Sequence, residues 1–327
     1  SYYTDSMEDS IQALAKIVDY GKSVRPDCYF VAEIWDGEWM ISQYYESGVD
    51  SVFNFDCSYT GPYSGLFNNI KTGNGKKGGH RLEDFNTAIR NKNIHAIDAP
   101  FLSNHDTPRS GTYFKSSVNK KLAASLYMML PGNPFIYYGE EIGMTEGWAN
   151  DSDKRLPIKW SIEESGARIN PPKGANYVSP PQYGVFQQLE HETSLVNHYR
   201  KLIRLRNQNP EIARAQVVSA ADLQYNVASY TCAYEDSAVM VVTNLTATPK
   251  TVNVREAGYE TFTEVNGFVI ADDYIEQEQF RAYMNNDEYE VPELRPHAVP
   301  MVYVDGELTP PPRATVVLRC TATGSAT

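Results

Sequence analysis

The sequence predicts a parallel α/β domain followed by an antiparallel all-β domain. Short apolar strands alternate with amphipathic helices over the first two thirds of the 327 residues, a rhythm typical of parallel strands joined by crossover helices. After about residue 212 the helical periodicity ends, and short strands separated by turn residues follow. That second pattern is typical of a β-sandwich. The predicted domains are therefore residues 1–211 and 212–327.

Each element is predicted from its own period. A helical stripe of Ile11, Leu14 and Val18 indicates a helix over residues 5–20, and the same spacing predicts helices over 81–91, 118–130 and 193–208. Apolar runs bounded by turn residues predict parallel strands over 28–32, 51–55, 95–102 and 134–138. In the second domain, strands are predicted at 217–218, 228–232, 239–243, 251–254 and 315–319.

Polar residues follow the carboxyl ends of the predicted parallel strands. In strand order these residues are Glu33, Asp56, Asn104-His105-Asp106 and Glu140-Glu141. Functional residues of parallel α/β barrels lie at this end of the strands. The sequence therefore predicts a catalytic site here, with Glu33 as a catalytic acid; a surface glutamate at a strand end is the alternative for that residue alone. Asp56 is interpreted as a loop or structural acid rather than a catalytic one.

The charge and composition narrow the class of partner. A formal net charge of −12 repels nucleic acid and anionic membranes, so neither is expected as a partner. The 23 tyrosines suit sugar rings, which offer apolar faces and hydroxyl rims. The four cysteines have no metal-binding spacing, and no cofactor or metal is expected in this chain.

Three segments resemble later signature regions of the α-amylase family of glycoside hydrolases: FVAEIWDG (30–37), FLSNHDTPR (101–109) and NPFIYYGEEIGM (133–144). The segment DSDKRLPIKW (151–160) is similar to a loop of bacterial α-amylases and oligo-α-glucosidases. Residues 194–210 resemble the last barrel helix of that family. The resemblance implies a partial (β/α)8 TIM barrel, with strands 5–8 and their helices, followed by the β-sandwich.

The same motifs imply roles for individual residues. Glu33 matches the general acid/base glutamate of the family, and Asp106 matches the aspartate that orients and distorts the sugar. Substrate contacts are expected from residues of the same motifs, with an ion pair in the loop as the alternative for the arginine: His105, Asn104, Trp35, Arg109 and Tyr138.

The implied chemistry needs two carboxyl groups about 5–5.5 Å apart, one protonated and one ionised. Glu33 stands between Ala32 and Ile34, so we expect an apolar surrounding that favours its protonated form by desolvation. The family's nucleophile, an aspartate ending the fourth strand, would lie just before Ser1. The resemblance therefore implies that the missing N-terminal half of the same protein is a partner, and that the isolated chain is inactive. The alternatives are that two copies of the chain pair, or that these residues are the ordered part of a larger protein.

The function implied by the resemblance is hydrolysis of α-1,4-glucosidic bonds in starch or maltooligosaccharides, with retention of configuration. The alternatives are an oligo-α-1,6-glucosidase, a glycosyl-transferring relative, and a non-catalytic glucan-binding or assembly fragment. Calcium is expected only in the parent enzyme. Because polymeric starch cannot enter cells, an extracellular or cell-surface location in a bacterium is expected, with the cytoplasm as the alternative.

Overall fold

The computed structural model describes residues 6–58, 68, 70, 72–145, 150–161, 170–175, 183–219, 223–257, 262–271, 302–304 and 306–321. Its first part contains three strands in a parallel sheet, in the order β1 (Val31–Ala32), β2 (Ser51–Asn54) and β3 (Ile97–Pro100). Three of the predicted parallel strands are therefore present, each shorter than expected.

The segment 134–138, predicted as the fourth strand, aligns with β3 over one position only. Phe101 and Phe135 form a parallel bridge, and the amide of Phe135 donates to the carbonyl of Pro100 over 2.9 Å. The ladder ends there because the next carbonyl groups have other donors: Glu140 N for Tyr137 O, and a guanidinium nitrogen for Tyr138 O. The predicted extent of this strand is wrong.

The helices of the described residues include all four predicted from periodicity. They are α1 (Met7–Val24), α2 (Glu38–Tyr44), α3 (Gly75–Lys92), α4 (Ser110–Tyr113), α5 (Ser117–Met128), α6 (Val185–Glu190), α7 (Leu195–Asn207) and α8 (Pro210–Arg214). Short 3-10 helices span Tyr45–Ser47, Phe55–Cys57, Asp151–Arg155 and Val254–Ala257.

Serine side chains begin three of these helices. The hydroxyl groups of Ser6, Ser116 and Ser194 each accept a hydrogen bond from the backbone amide three residues later, which satisfies a donor that the helix itself leaves unpaired. Among the described residues, no helix combines the length and apolarity needed to cross a bilayer.

The parallel sheet has two different faces. Ala32 pairs with Val52 in register, and both belong to an apolar cluster that α1 and α3 cover through Val18 and Ile89. Since successive side chains of a strand alternate between faces, Glu33 points to the opposite face, which we call the inner face.

The described residues of the second part of the chain form two antiparallel sheets. One has the order β4-β5-β6-β11-β8, formed by Gln216–Ser219, Val227–Tyr234, Ser237–Asn244, Ala314–Thr321 and Phe262–Ile270. The other has the order β7-β10-β9, formed by Val252–Asn253, Glu307–Thr309 and Val302–Val304. Val242, Val252 and Leu308 share one buried cluster that joins the sheets, which is the layering of a sandwich.

The two parts of the chain share an apolar core. One buried cluster includes Leu122 of α5, Leu202 of α7, Tyr230 of β5 and Val317 of β11. At Gly75, the first residue of α3, an added Cβ would lie 2.3 Å from the backbone nitrogen of Ala228, so helix and strand are in direct backbone contact. The boundary between residues 211 and 212 remains a prediction, and the first antiparallel strand begins at Gln216.

Candidate active site

An aromatic layer covers the inner face of the parallel sheet. The ring of Trp35, just beyond β1, stacks on Phe55 with centroids 4.8 Å apart. Phe55 contacts Phe101 edge-on at 5.1 Å, and Phe53 joins Phe101 to Phe135 at 5.7 and 4.8 Å. These five residues, the aromatic layer, connect the end of β1 to the segment that follows β3.

Glu33 follows β1 directly and lies on the inner face. Its side chain is exposed in this chain, whereas its neighbours Ala32 and Ile34 point into the covered side of the sheet. The expected desolvated surrounding of Glu33 is therefore absent here. The physical reason is strand alternation, which directs the apolar neighbours of Glu33 away from it.

The loop after β3 is shaped by its own side chains. The Oδ1 atom of Asn104 accepts hydrogen bonds from the amides of Asp106 and Thr107 over 2.9 and 2.7 Å. In return, the hydroxyl of Thr107 accepts from the amide of Asn104 over 2.9 Å. The amide oxygen of Asn104 thus fixes the backbone on which Asp106 is carried.

The carboxylate of Asp106 is held from two sides. Arg155 donates from Nη2 to Oδ1 over 2.8 Å, and Nε2 of His105 lies 3.2 Å from Oδ2. Lys154 donates to the backbone carbonyl of Asp106 over 2.7 Å. Asp106 retains 33% side-chain exposure, so the carboxylate is oriented by these contacts while one side remains open to a ligand.

The segment that supplies Lys154 and Arg155 is tied down by two tyrosines. Tyr137 donates its hydroxyl to Lys154 O over 3.0 Å, and Tyr138 donates its hydroxyl to Leu156 O over 2.8 Å. Tyr138 is 40% exposed and presents part of its ring to solvent. These contacts place the 3-10 helix Asp151–Arg155 beside the loop that carries Asp106.

Arg109 differs from its predicted role as a sugar contact. Its side chain is 1% exposed, and the guanidinium carbon lies 4.6 and 4.7 Å from the ring centroids of Tyr137 and Tyr138. It donates from Nη1 to Tyr138 O over 2.7 Å. A side chain buried in this way cannot touch a sugar, so the prediction of Arg109 as a substrate contact is wrong. Arg109 instead supports the two tyrosines through cation–π and hydrogen-bond contacts.

Glu140 is a buried carboxylate beneath the same loop. It is 3% exposed, and Tyr127 and Tyr199 each donate to its Oε1 over 2.7 Å. Ser103, the residue before Asn104, donates to its Oε2 over 3.0 Å. Burial raises the pKa of Glu140 to about 7, and the three hydroxyl donors oppose that rise.

A second group of acids lies on the outer, helix-covered side of the sheet. Arg81 of α3 pairs with Glu38 over 2.8 Å and with the buried Asp56 over 2.6 Å, and Asn54 donates to Asp98 over 3.1 Å. These residues line one pocket between the sheet, α3 and β5. They face away from the aromatic layer, which supports the interpretation of Asp56 as a structural acid.

The residues at 150–153 do not fit a calcium site. The side chain of Asn150 caps the 3-10 helix by accepting from Asp153 N over 3.1 Å, and the carboxylate of Asp151 pairs with Lys154 and Arg155 over 3.0 and 3.1 Å. Calcium needs six to eight oxygen ligands, and here the chain's own donors occupy the side-chain oxygens of Asn150 and Asp151. Within the described part of the chain, no three acidic, histidine or cysteine side chains converge on a metal position.

The predicted site residues lie at different distances from Asp106. Asn104, His105 and Asp106 form one unit, and the aromatic layer links Trp35 to it. Glu33 and Asp106 follow strands on either side of β2, and two strand spacings amount to about 10 Å at the backbone. Sequence reasoning missed Lys154 and Arg155 as contacts of Asp106; the basic pair in DSDKRLPIKW was their one signal.

Acids at the carboxyl ends of parallel strands, an aromatic inner face and a sandwich behind are features of a glycoside hydrolase of the α/β-barrel class. The family model described as the catalytic domain of α-amylase matches residues 1–215. The chain belongs to the α-amylase family of glycoside hydrolases.

Three relatives illustrate the similarity. α-Amylase 3 of Dictyoglomus thermophilum is 35% identical over 259 residues, which are 76% of this chain and 49% of that protein. Trehalose synthase/amylase TreS of Mycobacterium tuberculosis is 28% identical over 158 residues, or 44% of this chain and 26% of that protein. The solved structure of Eubacterium rectale Amy13B superposes with a TM-score of 0.81 at 28% identity, covering 98% of this chain and 58% of that one. The chain spans half or less of the length of these two curated relatives.

Proposed function

We propose that this chain forms part of a retaining α-glucan hydrolase that cleaves α-1,4-glucosidic bonds in starch or maltooligosaccharides outside a bacterial cell. Glu33 is the general acid/base, Asp106 stabilises the transition state, and polypeptide upstream of Ser1 supplies the nucleophilic aspartate. One observation carries the proposal: Glu33 and Asp106 follow parallel strands on either side of β2, beside an aromatic layer, in a chain of the α-amylase family.

Glu33 must give a proton to the departing glycosidic oxygen and later take one from water. Both steps need a carboxyl group that is protonated in one state and ionised in the next. The side chain is exposed in this chain, so the desolvation that favours the protonated acid has to come from added polypeptide. A nearby anionic nucleophile would favour the protonated form further.

Asp106 is arranged to bind a sugar without losing its own supports. Each carboxylate oxygen has two lone pairs, and Arg155 and His105 approach one oxygen each. One lone pair on each oxygen remains for a pair of ring hydroxyls. The negative charge of Asp106 then lies close to the positive charge that develops on the sugar ring as the bond breaks.

Aromatic and polar groups around Asp106 complete the proposed sugar site. Trp35 is 51% exposed and is held flat by its stack on Phe55, so it offers an apolar face to a glucose ring. Tyr138 offers a second, smaller face. His105 is exposed beside Asp106 and supplies a ring nitrogen for a sugar hydroxyl, and the side-chain amide of Asn104 supplies a further polar group.

The proposed partner is the upstream half of the barrel. Among the described strands, β1 pairs on one side only, with β2, and an open strand edge requires a cover. On α1, Ile17, Tyr20 and Val24 are exposed apolar side chains at helical spacing. Added strands and helices would pair with β1 and cover this stripe. Supplying the upstream half in trans is expected to restore hydrolysis to this chain.

The test of the acid/base role uses two substrates that differ in their need for a proton. In the protein that includes the upstream half, Glu33→Gln should lower hydrolysis of a chromogenic maltooligosaccharide by about 10²–10⁴-fold. With α-maltosyl fluoride, whose leaving group needs no protonation, the variant should release a burst of fluoride followed by slow turnover, because water still lacks its base.

Asp36→Asn is the matched control, because it changes an exposed acid three residues away and should leave both substrates at wild-type rates. Wild-type rates in Glu33→Gln on the maltooligosaccharide would refute the assignment. An equal loss on both substrates, with no burst, would indicate that Glu33 has another role.

A glycosyl-transferring function is the second candidate, favoured by the similarity to a trehalose synthase/amylase. In both functions the sugar is first carried by the enzyme, and the acceptor decides the product. Product analysis with maltose as donor separates them: glucose alone indicates hydrolysis, whereas a new disaccharide indicates transfer. Isomaltose in place of maltose tests cleavage of α-1,6 bonds in the same way.

A further inference from the structure

We propose that Glu140 is a positioning residue that holds the loop of Asn104, His105 and Asp106 in its working geometry through Ser103. This inference rests on the proposed function, since the loop carries the proposed transition-state aspartate. Glu140 itself touches no substrate in this proposal, because it is buried under the loop.

The carboxylate connects three separate parts of the chain. Tyr127 comes from α5 and Tyr199 from α7, and both donate to the Oε1 atom of Glu140. Both tyrosines belong to the apolar core, so they provide a rigid base. The Oε2 atom is left for Ser103, which lies between β3 and the loop.

The hydrogen bond from Ser103 fixes the start of the loop. Asn104 comes next, and its Oδ1 atom accepts from Asp106 N and Thr107 N. A shift of Ser103 would move Asn104, and with it the amide of Asp106. The chain of contacts from the two helices to Asp106 therefore passes through one carboxylate group, that of Glu140.

The charge of Glu140 matters because hydrogen bonds to an ionised acceptor are the stronger ones. Its titratable contacts are Tyr127, Tyr199 and, on its own turn, Glu141. Burial raises the pKa of both tyrosines well above their usual range, so they remain donors at neutral pH. Burial also raises the pKa of Glu141, and its charge disfavours ionisation of Glu140.

Protonation of Glu140 near neutral pH weakens its hold on Ser103. The hydroxyl of Ser103 then bonds a neutral acid instead of a carboxylate, and the loop loses a charge-assisted contact. The serine and the glutamate should therefore act as one unit, with the same effect on the reaction when either is altered.

The experiment compares four variants of the protein that includes the upstream half. Glu140→Gln keeps the shape and removes the charge, Ser103→Ala cuts the link to the loop, and Ser103→Ala/Glu140→Gln combines them. Glu141→Gln is the matched control. Both single variants should lower kcat by about tenfold with little change in KM, and the double variant should be no lower than either.

The pH profile separates positioning from simple packing. Wild type should show an ionisation near pH 7 in kcat. Glu141→Gln should keep this ionisation at a somewhat lower pH, because the charge that disfavours ionisation of Glu140 is removed, whereas Glu140→Gln and Ser103→Ala should lack it. A wild-type kcat and profile in Ser103→Ala would overturn the proposal. Equal effects of Glu141→Gln and Glu140→Gln would overturn it too, since a general disturbance of the turn would then explain both.

A second readout does not depend on glucan hydrolysis. The imidazole of His105 can be followed by nuclear magnetic resonance as the pH is varied, and its shifts should contain the Glu140 transition in wild type but not in Ser103→Ala. An inactive wild type with this transition would refute the proposed function and retain the link. The absence of the transition in wild type would refute the link itself.

Discussion

Replacing Asp98 by asparagine tests the electrostatics of the buried sheet. Asp98 lies on the outer side of β3 and is 5% exposed. It accepts from Asn54 Nδ2 over 3.1 Å and from the amide of Ala99 over 2.9 Å. Burial, the largest influence, raises its pKa from 3.8 to about 7, against the effect of both donors. Asp98→Asn removes the charge and keeps the size.

The sign and size of the expected change in the free energy of unfolding follow from proton linkage. Between pH 4 and pH 7 the folded protein keeps a proton on Asp98 that the unfolded chain has released, so the free energy of unfolding falls as the pH rises. At about 1.4 kcal/mol for each pH unit, the contribution of Asp98 to the free energy of unfolding falls by about 4 kcal/mol over this range. The Asp98→Asn variant lacks this loss, so its stability relative to wild type should rise by about 4 kcal/mol from pH 4 to pH 8.

The assay is urea unfolding of both proteins at a series of pH values from 4 to 8. Asp36→Asn is the control, because Asp36 is exposed and the same chemical change there involves no buried charge. The stability change of that variant is subtracted from the change of Asp98→Asn at each pH. A flat difference for Asp98→Asn, within about 1 kcal/mol, would refute the reasoning, because burial would then not disfavour the carboxylate.

Two further predictions concern the loop and the backbone. Arg155→Gln removes the donor to Asp106 Oδ1 and should lower kcat/KM on maltooligosaccharides by about tenfold, with unfolding changed by less than about 1 kcal/mol because the side chain is 34% exposed; unchanged kinetics would exclude a role in orienting Asp106. Gly132→Ala should destabilise by at least about 2 kcal/mol, because Gly132 has φ 98° and an added Cβ would lie 2.2 Å from Asp98 O. Gly73→Ala, at φ 65° with open space around it, isolates the effect of the positive φ, and an equal loss in both variants would show that the contact adds nothing.

Local sequence was sufficient to predict the helices and the order of the parallel strands. The stripe of α1 was visible because Ile11, Leu14 and Val18 repeat at the helical period, and this period does not depend on distant residues. The extent of 134–138 as a strand could not be read in the same way. Its ladder ends where Arg109 takes the carbonyl of Tyr138, and that competition comes from a residue 29 positions away.

In the candidate site, too, local sequence predicted some residues, whereas contacts between distant residues were not predicted. The sequence predicted Glu33, His105 and Asp106 as site residues because they follow the ends of predicted strands. The partner of Asp106 was not found, because Arg155 is 49 residues away and joins it only through the folding of a loop. Sequence likewise could not tell which of Glu140 and Glu141 is buried, since that depends on where two distant tyrosine hydroxyls point.

The core shared by α5, α7 and the strands of the sandwich has a practical consequence. The sandwich cannot be removed, or transferred to another enzyme, simply by cutting the chain after α8, which ends at Arg214. A truncation at that point would strip Leu202 and its neighbours of their covering. Truncated proteins of this kind should therefore aggregate during expression, and any exchange of the sandwich has to carry along the helix surfaces that it covers.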